Sequence, residues 1–197
     1  GLWKKIAVNN HYAEESFSPL DRLTSLVNSE PTDLVQAKLS DLLDLDMWGK
    51  FAAFETIGQT FHYDNIHNWR LYFDPITSKF IPVIWDPMVW NGSWMPREGA
   101  LARFDVLPSK LHNMLMYNSD FLEARHSAIS AFFESGMDLE LVDDIEQAMA
   151  LMEGDIINDP HLGVLVHRDG GSGQDPYRAI AMQQELLLGV RNILRDI

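Results

Sequence analysis

The sequence lacks cysteine altogether, which excludes disulfides and thiolate metal sites. It is also poor in basic residues: 15 Lys and Arg stand against 29 Asp and Glu, giving a formal charge of −14. Because nucleic acids and anionic membranes bind basic surfaces, we expect no nucleic-acid partner. No apolar run approaches the roughly 20 residues of a transmembrane helix, so we also expect no membrane insertion.

The beginning of the chain lacks two other features. Its first residues, GLWKKIAVNNHY, contain neither an initiator Met nor the apolar segment of a signal peptide. We therefore interpret residues 1–197 as a fragment or processed chain that forms a single domain. Hydrophobic residues make up 46% of it and charged residues 22%, so it is able to bury a core.

Lys and Arg are missing entirely between His126 and His167, where nine acids occur. We interpret this stretch as a solvated helical face rather than a metal site or a partner patch. The nine acids are Glu134, Asp138, Glu140, Asp143, Asp144, Glu146, Glu153, Asp155 and Asp159.

Most of the remaining sequence has helical patterning. Ser18, Thr32 and Ser119 are suitable N-caps, a Pro follows Ser18 at the first helical position, and Gly154 marks a helix end. The predicted helices cover residues 18–27, 30–43, 44–61, 107–118, 119–135, about 139–152, and a closing amphipathic helix from Tyr177.

The period changes after the third helix. WRLYF (69–73) and KFIPVIW (79–85) are rich in aromatic and β-branched residues, and DPITS between them is a turn signal. These segments predict one antiparallel hairpin with a turn centred near Ile76 and Thr77. The predicted fold class is therefore α+β, mostly helical, with a small antiparallel hairpin.

Polar residues flank this hairpin at its open end. Its predicted register puts Asn68 opposite Trp85, so Asp86 falls beside the segment from Asp64 to Asn68, since paired strands lie about 5 Å apart. Carboxylate and amide oxygens suit Mg²⁺, which favours oxygen ligands and substrate phosphates. Two Asp and one Asn are therefore predicted to converge at one end of the ribbon.

Phosphoryl transfer needs such a set of residues. One Asp orients or deprotonates the acceptor hydroxyl, an Asn holds a metal, and a second Asp beyond a short ribbon holds the nucleotide metal. In protein kinases the Asn follows the catalytic Asp by five positions; here Asn68 follows Asp64 by four, and no Phe-Gly follows Asp86. The kinase motifs in their usual form are absent from the sequence.

The run DNIHNWRLYFDPITSKFIPVIWD (64–86) resembles the CotH family of spore-coat and surface kinases. That family carries an Asp, an Asn leading into aromatic residues, a hairpin with a DP turn and a Lys, and then PWD. LDLDMW, NSDFLEARH and RNILRDI, elsewhere in the chain, agree with the family more weakly. The resemblance covers nearly the whole chain, which matches the C-terminal part of a CotH-like domain.

The resemblance implies the C-terminal lobe of an atypical protein-kinase-like fold that uses ATP and Mg²⁺. Its partner would be a protein substrate that accepts the phosphoryl group on a Ser or Thr hydroxyl. Asp64 would be the catalytic Asp, with Asn68 and Asp86 binding the metal and nucleotide. The family also suggests an exported, cell-surface or spore-coat location in bacteria.

Two alternatives stay open. Met88 stands where the family has a second acid, and the nucleotide-clamping N-terminal part of the family lies outside this match; both favour an inactive binding or scaffolding module. A carbohydrate-active domain would instead use Asp64 and Asp86 with nearby tryptophans, and would need the two carboxyls about 5–10 Å apart.

Overall fold

The computed structural model describes residues 4, 6, 17–60, 69–87, 89–90, 109–159 and 176–197. Within these ranges the predicted fold class is confirmed: helices dominate, and the β-structure is one small antiparallel hairpin. The helices and strands are α1 Ser18–Val27, α2 Asp33–Leu42, α3 Leu45–Gly58, β1 Leu71–Asp74, β2 Lys79–Pro82, α4 Lys110–Leu115, α5 Ser119–Glu134, α6 Met137–Asn158 and α7 Pro176–Asp196.

The helix starts show which caps the sequence predicted correctly. The Thr32 hydroxyl accepts a hydrogen bond from the Val35 amide at 3.4 Å, so this predicted cap of α2 is confirmed. The predicted caps at Ser18 and Ser119 are both wrong. Ser18 is the first residue of α1, whose start has no side-chain cap. The Asn118 side chain caps α5 instead, accepting from the amides of Asp120 at 3.1 Å and Phe121 at 3.2 Å.

Helix α6 is longer than predicted, because it continues through Gly154 to Asn158. A glycine inside a helix costs only about 1 kcal/mol, which the packing of α6 against α7 is able to offset. The prediction of a solvated acidic face is confirmed for most of its members. The exposed acids are Glu134, Glu140, Asp143, Asp144, Glu146, Glu153 and Asp155.

The chain divides into two compact units. The first unit comprises Gly1–Val89 and Asp105–Ser130, and its core lies between α1 to α5 and the ribbon. Trp48 of α3 is almost fully buried there and donates its indole N–H to the Phe80 carbonyl at 2.9 Å. The core cluster consists of Leu23, Leu39, Leu43, Leu45, Trp48, Ala52, Phe80, Leu111, Met114, Leu115 and Phe121.

The second unit comprises Trp90–Phe104 and Ala131–Ile197. In it α6 packs against α7, and the Arg191 guanidinium pairs with the Glu146 carboxylate. The predicted amphipathic character of the closing helix is confirmed, since one face of it is buried at helical spacing. That face carries Leu187, Val190, Ile193 and Leu194. None of the helices described here is long and apolar enough to cross a membrane.

Candidate functional site

The hairpin has the register that the sequence predicted. Asp74 pairs with Lys79 and Leu71 with Pro82, which centres the turn on Ile76 and Thr77. The pairing extends past β2, because the Val83 amide donates to the Arg70 carbonyl at 2.9 Å. Asp86 therefore follows the ribbon at its open end, opposite the turn.

Asp86 is exposed and lies four residues beyond the end of β2. Its backbone is in the left-handed region, with φ at 48°. Asp and Asn tolerate this conformation better than most residues, and such backbone positions are enriched at functional sites. Asp64 and Asn68, the other two predicted site residues, lie outside the described residues.

Trp85 precedes Asp86 and packs on the neighbouring strand. The Arg70 guanidinium carbon lies 3.6 Å from the centroid of the Trp85 ring, a cation–π contact across the ribbon. The Trp85 side chain nevertheless remains 49% exposed. This contact ties the residue before Asp86 to the residue that precedes β1.

A buried polar cluster that we did not predict lies in the same unit. The His112 side chain is buried, and its Nε2 lies 2.8 and 3.0 Å from the two carboxylate oxygens of Glu55, which is also buried. Its Nδ1 lies 2.7 Å from the hydroxyl of Ser109, the N-cap of α4. Every polar atom of the His112 ring therefore has a partner, as buried polar groups require.

The Glu55–His112 pair keeps its hydrogen bonds whether or not the Glu55 carboxyl carries a proton. With Glu55 ionised, His112 Nε2–H donates to the carboxylate and the Ser109 hydroxyl donates to Nδ1. With Glu55 protonated, its O–H donates to Nε2 and Nδ1–H donates to Ser109. Both states keep two side-chain hydrogen bonds, so the pair is able to change its charge without losing its contacts.

Burial raises the pKa of the Glu55 carboxyl above its ordinary value of 4.5, while His112 and the charge of Arg125 act in the opposite direction. Arg125 comes from α5 and is itself buried, and its guanidinium donates to the Thr56 hydroxyl at 3.1 Å. The cluster therefore joins α3, α4 and α5 through charged groups in the interior.

The raised pKa of Glu55 predicts a pH dependence of stability. The folded protein keeps a proton on Glu55 at pH values where the unfolded chain has released it. The contribution of Glu55 to the free energy of unfolding is therefore fully present below pH 4.5 and is lost as the pH rises through the folded-state pKa. Denaturant titrations of wild type and Glu55→Gln at several pH values measure this, since Gln cannot titrate.

We expect the difference between wild type and Glu55→Gln in unfolding free energy to become less favourable to wild type as the pH rises above 4.5. Subtracting the two free energies of unfolding cancels the contributions of the other titrating groups, which both proteins share. A difference that moves in favour of wild type over this range would contradict the raised pKa.

Trp69 connects this cluster to the ribbon. Its ring centroid lies 5.2 Å from that of His112, 5.7 Å from that of Trp48 and 6.2 Å from that of Phe51. These ring contacts hold the Trp69 side chain against α3 and α4. The buried Glu55–His112 pair is thus in contact with Trp69, two positions before β1.

Across the described ranges, no three His, Asp or Glu side chains lie close enough together to hold a metal ion. Asp86 is therefore the one predicted metal ligand whose position the described residues give. Comparisons with protein-family models, with curated proteins and with solved structures gave no match.

Proposed function

We propose that the chain is a kinase lobe similar to those of the CotH family, which transfers the γ-phosphoryl group of ATP to Ser or Thr hydroxyls of proteins. One observation carries the proposal. Asp86, an exposed carboxylate in a left-handed backbone conformation, follows β2 of an antiparallel ribbon whose other strand, β1, begins three positions after Asn68 in the sequence. The sequence of this same ribbon is the part that resembles the family.

Each of the three residues has a role in the proposed reaction. Asp86 and Asn68 supply oxygen ligands, which are the donors that Mg²⁺ prefers. Asp64 faces the acceptor hydroxyl and orients it for in-line attack. Bound Mg²⁺ would neutralise the charge of the nucleotide phosphates. The exposure of Asp86 supports this proposal, because a metal ligand that receives a nucleotide must be accessible.

The test is MgATP binding by wild type and Asp86→Asn, measured by calorimetry. Asn is the suitable replacement because it tolerates the left-handed conformation and removes only the charge. Loss of one carboxylate from a hard-cation site is expected to weaken MgATP binding by at least about tenfold. The melting temperature of Asp86→Asn is expected to stay close to that of wild type.

Asp74→Asn provides a matched control on the same ribbon. Asp74 lies at the turn end, where the Thr77 hydroxyl and the Ile76 amide donate to its carboxylate and lower its pKa below 3.8. Its substitution removes the same charge from the opposite end of the hairpin. We expect unchanged MgATP binding, so an equal loss in both variants would contradict a site at Asp86.

Asp64→Asn separates binding from chemistry. If Asp64 acts on the acceptor hydroxyl, this variant binds MgATP like wild type but no longer transfers the phosphoryl group. Wild type that binds MgATP without any transfer would favour the inactive binding module, for which Met88 is the sequence observation. Absence of MgATP binding by the wild-type protein contradicts the kinase proposal and leaves a scaffolding module, which needs no nucleotide.

A further inference from the structure

The segment that carries Asp86 is attached to the end of helix α3. Thr60 is almost fully buried, and its hydroxyl donates a hydrogen bond to the backbone carbonyl of Pro87. The Thr60 amide in turn donates to the Glu55 carbonyl at 3.1 Å, which fixes Thr60 to the last turn of the helix. The residue directly after Asp86 is therefore held by a side chain 27 positions away in the sequence.

A second contact lies beside the first. A Cβ atom on Gly58 would come within 2.6 Å of Cγ1 of Val89, so the absence of a side chain at Gly58 lets this segment lie against α3. Thr60 and Gly58 therefore contact Pro87 and Val89 on the C-terminal side of Asp86. We call these four residues the α3 anchor.

The same segment is also attached near the start of α3. Phe80 of β2 accepts at its carbonyl from the Trp48 indole at 2.9 Å and from the Asp44 amide at 3.2 Å. The segment from Phe80 to Pro87 is thus attached to α3 near its first turn and, through Thr60, just after its last residue.

We propose that Thr60 is a positioning residue for Asp86. It acts through the Pro87 carbonyl and sets where the carboxylate stands relative to the ribbon. This inference rests on the proposed function in so far as Asp86 binds the nucleotide metal. Its structural part, that the Thr60 hydroxyl fixes the segment from Trp85 to Pro87, does not depend on that function.

Thr60→Val and Thr60→Ser form the test pair. Val has the shape of Thr but no hydroxyl, so the Pro87 carbonyl loses its donor, whereas Ser keeps the hydroxyl. Two quantities are measured on the whole chain: MgATP affinity by calorimetry, and the fluorine NMR signal of Trp85 in protein labelled with 5-fluorotryptophan. The Trp85 signal is assigned from its disappearance in Trp85→Phe.

The Trp85 signal reports on the anchor without nucleotide. Trp85 lies two residues before Pro87, and its ring contacts Arg70. We expect Thr60→Val to shift or broaden the Trp85 signal and to weaken MgATP binding about fivefold, as the loss of one hydrogen bond predicts. Thr60→Ser is expected to restore both, which a general loss of stability would not do.

Each outcome separates this inference from the proposed function. A Trp85 signal that is unchanged in Thr60→Val overturns the inference, whatever the nucleotide does. A moved signal with unchanged MgATP affinity overturns the positioning role. If wild type binds no MgATP, the proposed function fails, and the Trp85 signal alone then decides whether Thr60 fixes the segment.

Gly58→Ala keeps the inference testable if Thr60→Val does not fold. The added methyl group would push Val89 away from α3, although the substitution removes no hydrogen-bonding group. We expect the same displacement of the Trp85 signal and the same direction of change in MgATP affinity. An unchanged signal in a folded Gly58→Ala protein would overturn the inference equally.

Discussion

Replacing Glu55 by Ala is expected to lower the free energy of unfolding by about 3–5 kcal/mol. The substitution leaves His112 Nε2 without its partner in a buried site and takes a carboxylate away from the buried charge of Arg125. Removing one member of a buried pair costs this much because the remaining polar group stays desolvated. Urea denaturation, followed by far-UV circular dichroism, measures the loss.

A double-mutant cycle shows whether the pair itself causes the loss. His112→Ala removes the other partner, and Glu55→Ala with His112→Ala removes both. If the Glu55–His112 contact is the cause, the double variant loses less stability than the two single losses added together. Additive losses, or a loss of under about 1 kcal/mol in Glu55→Ala, would contradict a coupled buried pair.

Local sequence patterns predicted much of this fold, because the causes of those features are themselves local. The Thr32 cap needs only an amide three residues away, and it was predicted correctly. The hairpin register follows from the DPITS turn, and the observed pairing of Asp74 with Lys79 confirms it. Both features depend on residues that are close together in the sequence, so they can be predicted without knowledge of tertiary contacts.

The buried cluster was missed because its contacts are long-range. Glu55 and His112 are 57 positions apart, and Arg125 lies 69 positions from its partner Thr56. One signal was present: Glu55 is the single charged residue in FAAFETIG, an otherwise apolar or neutral stretch of α3. Such a residue predicts a buried partner, since burying an unpaired carboxylate is costly. Which residue supplies that partner depends on packing that the sequence does not display.

At the candidate site, too, the local features were predicted and a long-range contact was missed. The sequence predicted the ribbon and the position of Asp86 after it, since both follow from strand and turn signals. The attachment of this segment to α3 through Thr60 was not predicted, because Thr60 follows the helix as an ordinary polar residue. Threonine at a helix end has no pattern that distinguishes a long-range hydrogen bond from a local one.

The second large effect on stability is expected from a substitution at Gly49. Gly49→Ala is expected to destabilise the fold by about 2–3 kcal/mol, because α3 and α5 approach each other too closely for a side chain there. A Cβ atom on Gly49 would lie 2.5 Å from the Cβ of Ala124, 2.7 Å from the Arg125 amide nitrogen and 2.8 Å from the Ala124 carbonyl carbon. Two of these atoms belong to backbone, so relief requires the helices to separate. The free energy of unfolding from urea titrations measures the effect.

Gly154→Ala is the matched control for this prediction. Gly154 also lies inside a helix, α6, but a Cβ atom there would meet nothing within 4 Å. The same substitution therefore gains helix propensity without a clash, and is expected to raise the free energy of unfolding by up to about 1 kcal/mol. Opposite signs at the two glycines would show that the approach of α5 to α3, and not glycine chemistry, sets the result at Gly49. A stabilising Gly49→Ala would mean that the two helices lie farther apart than these distances state.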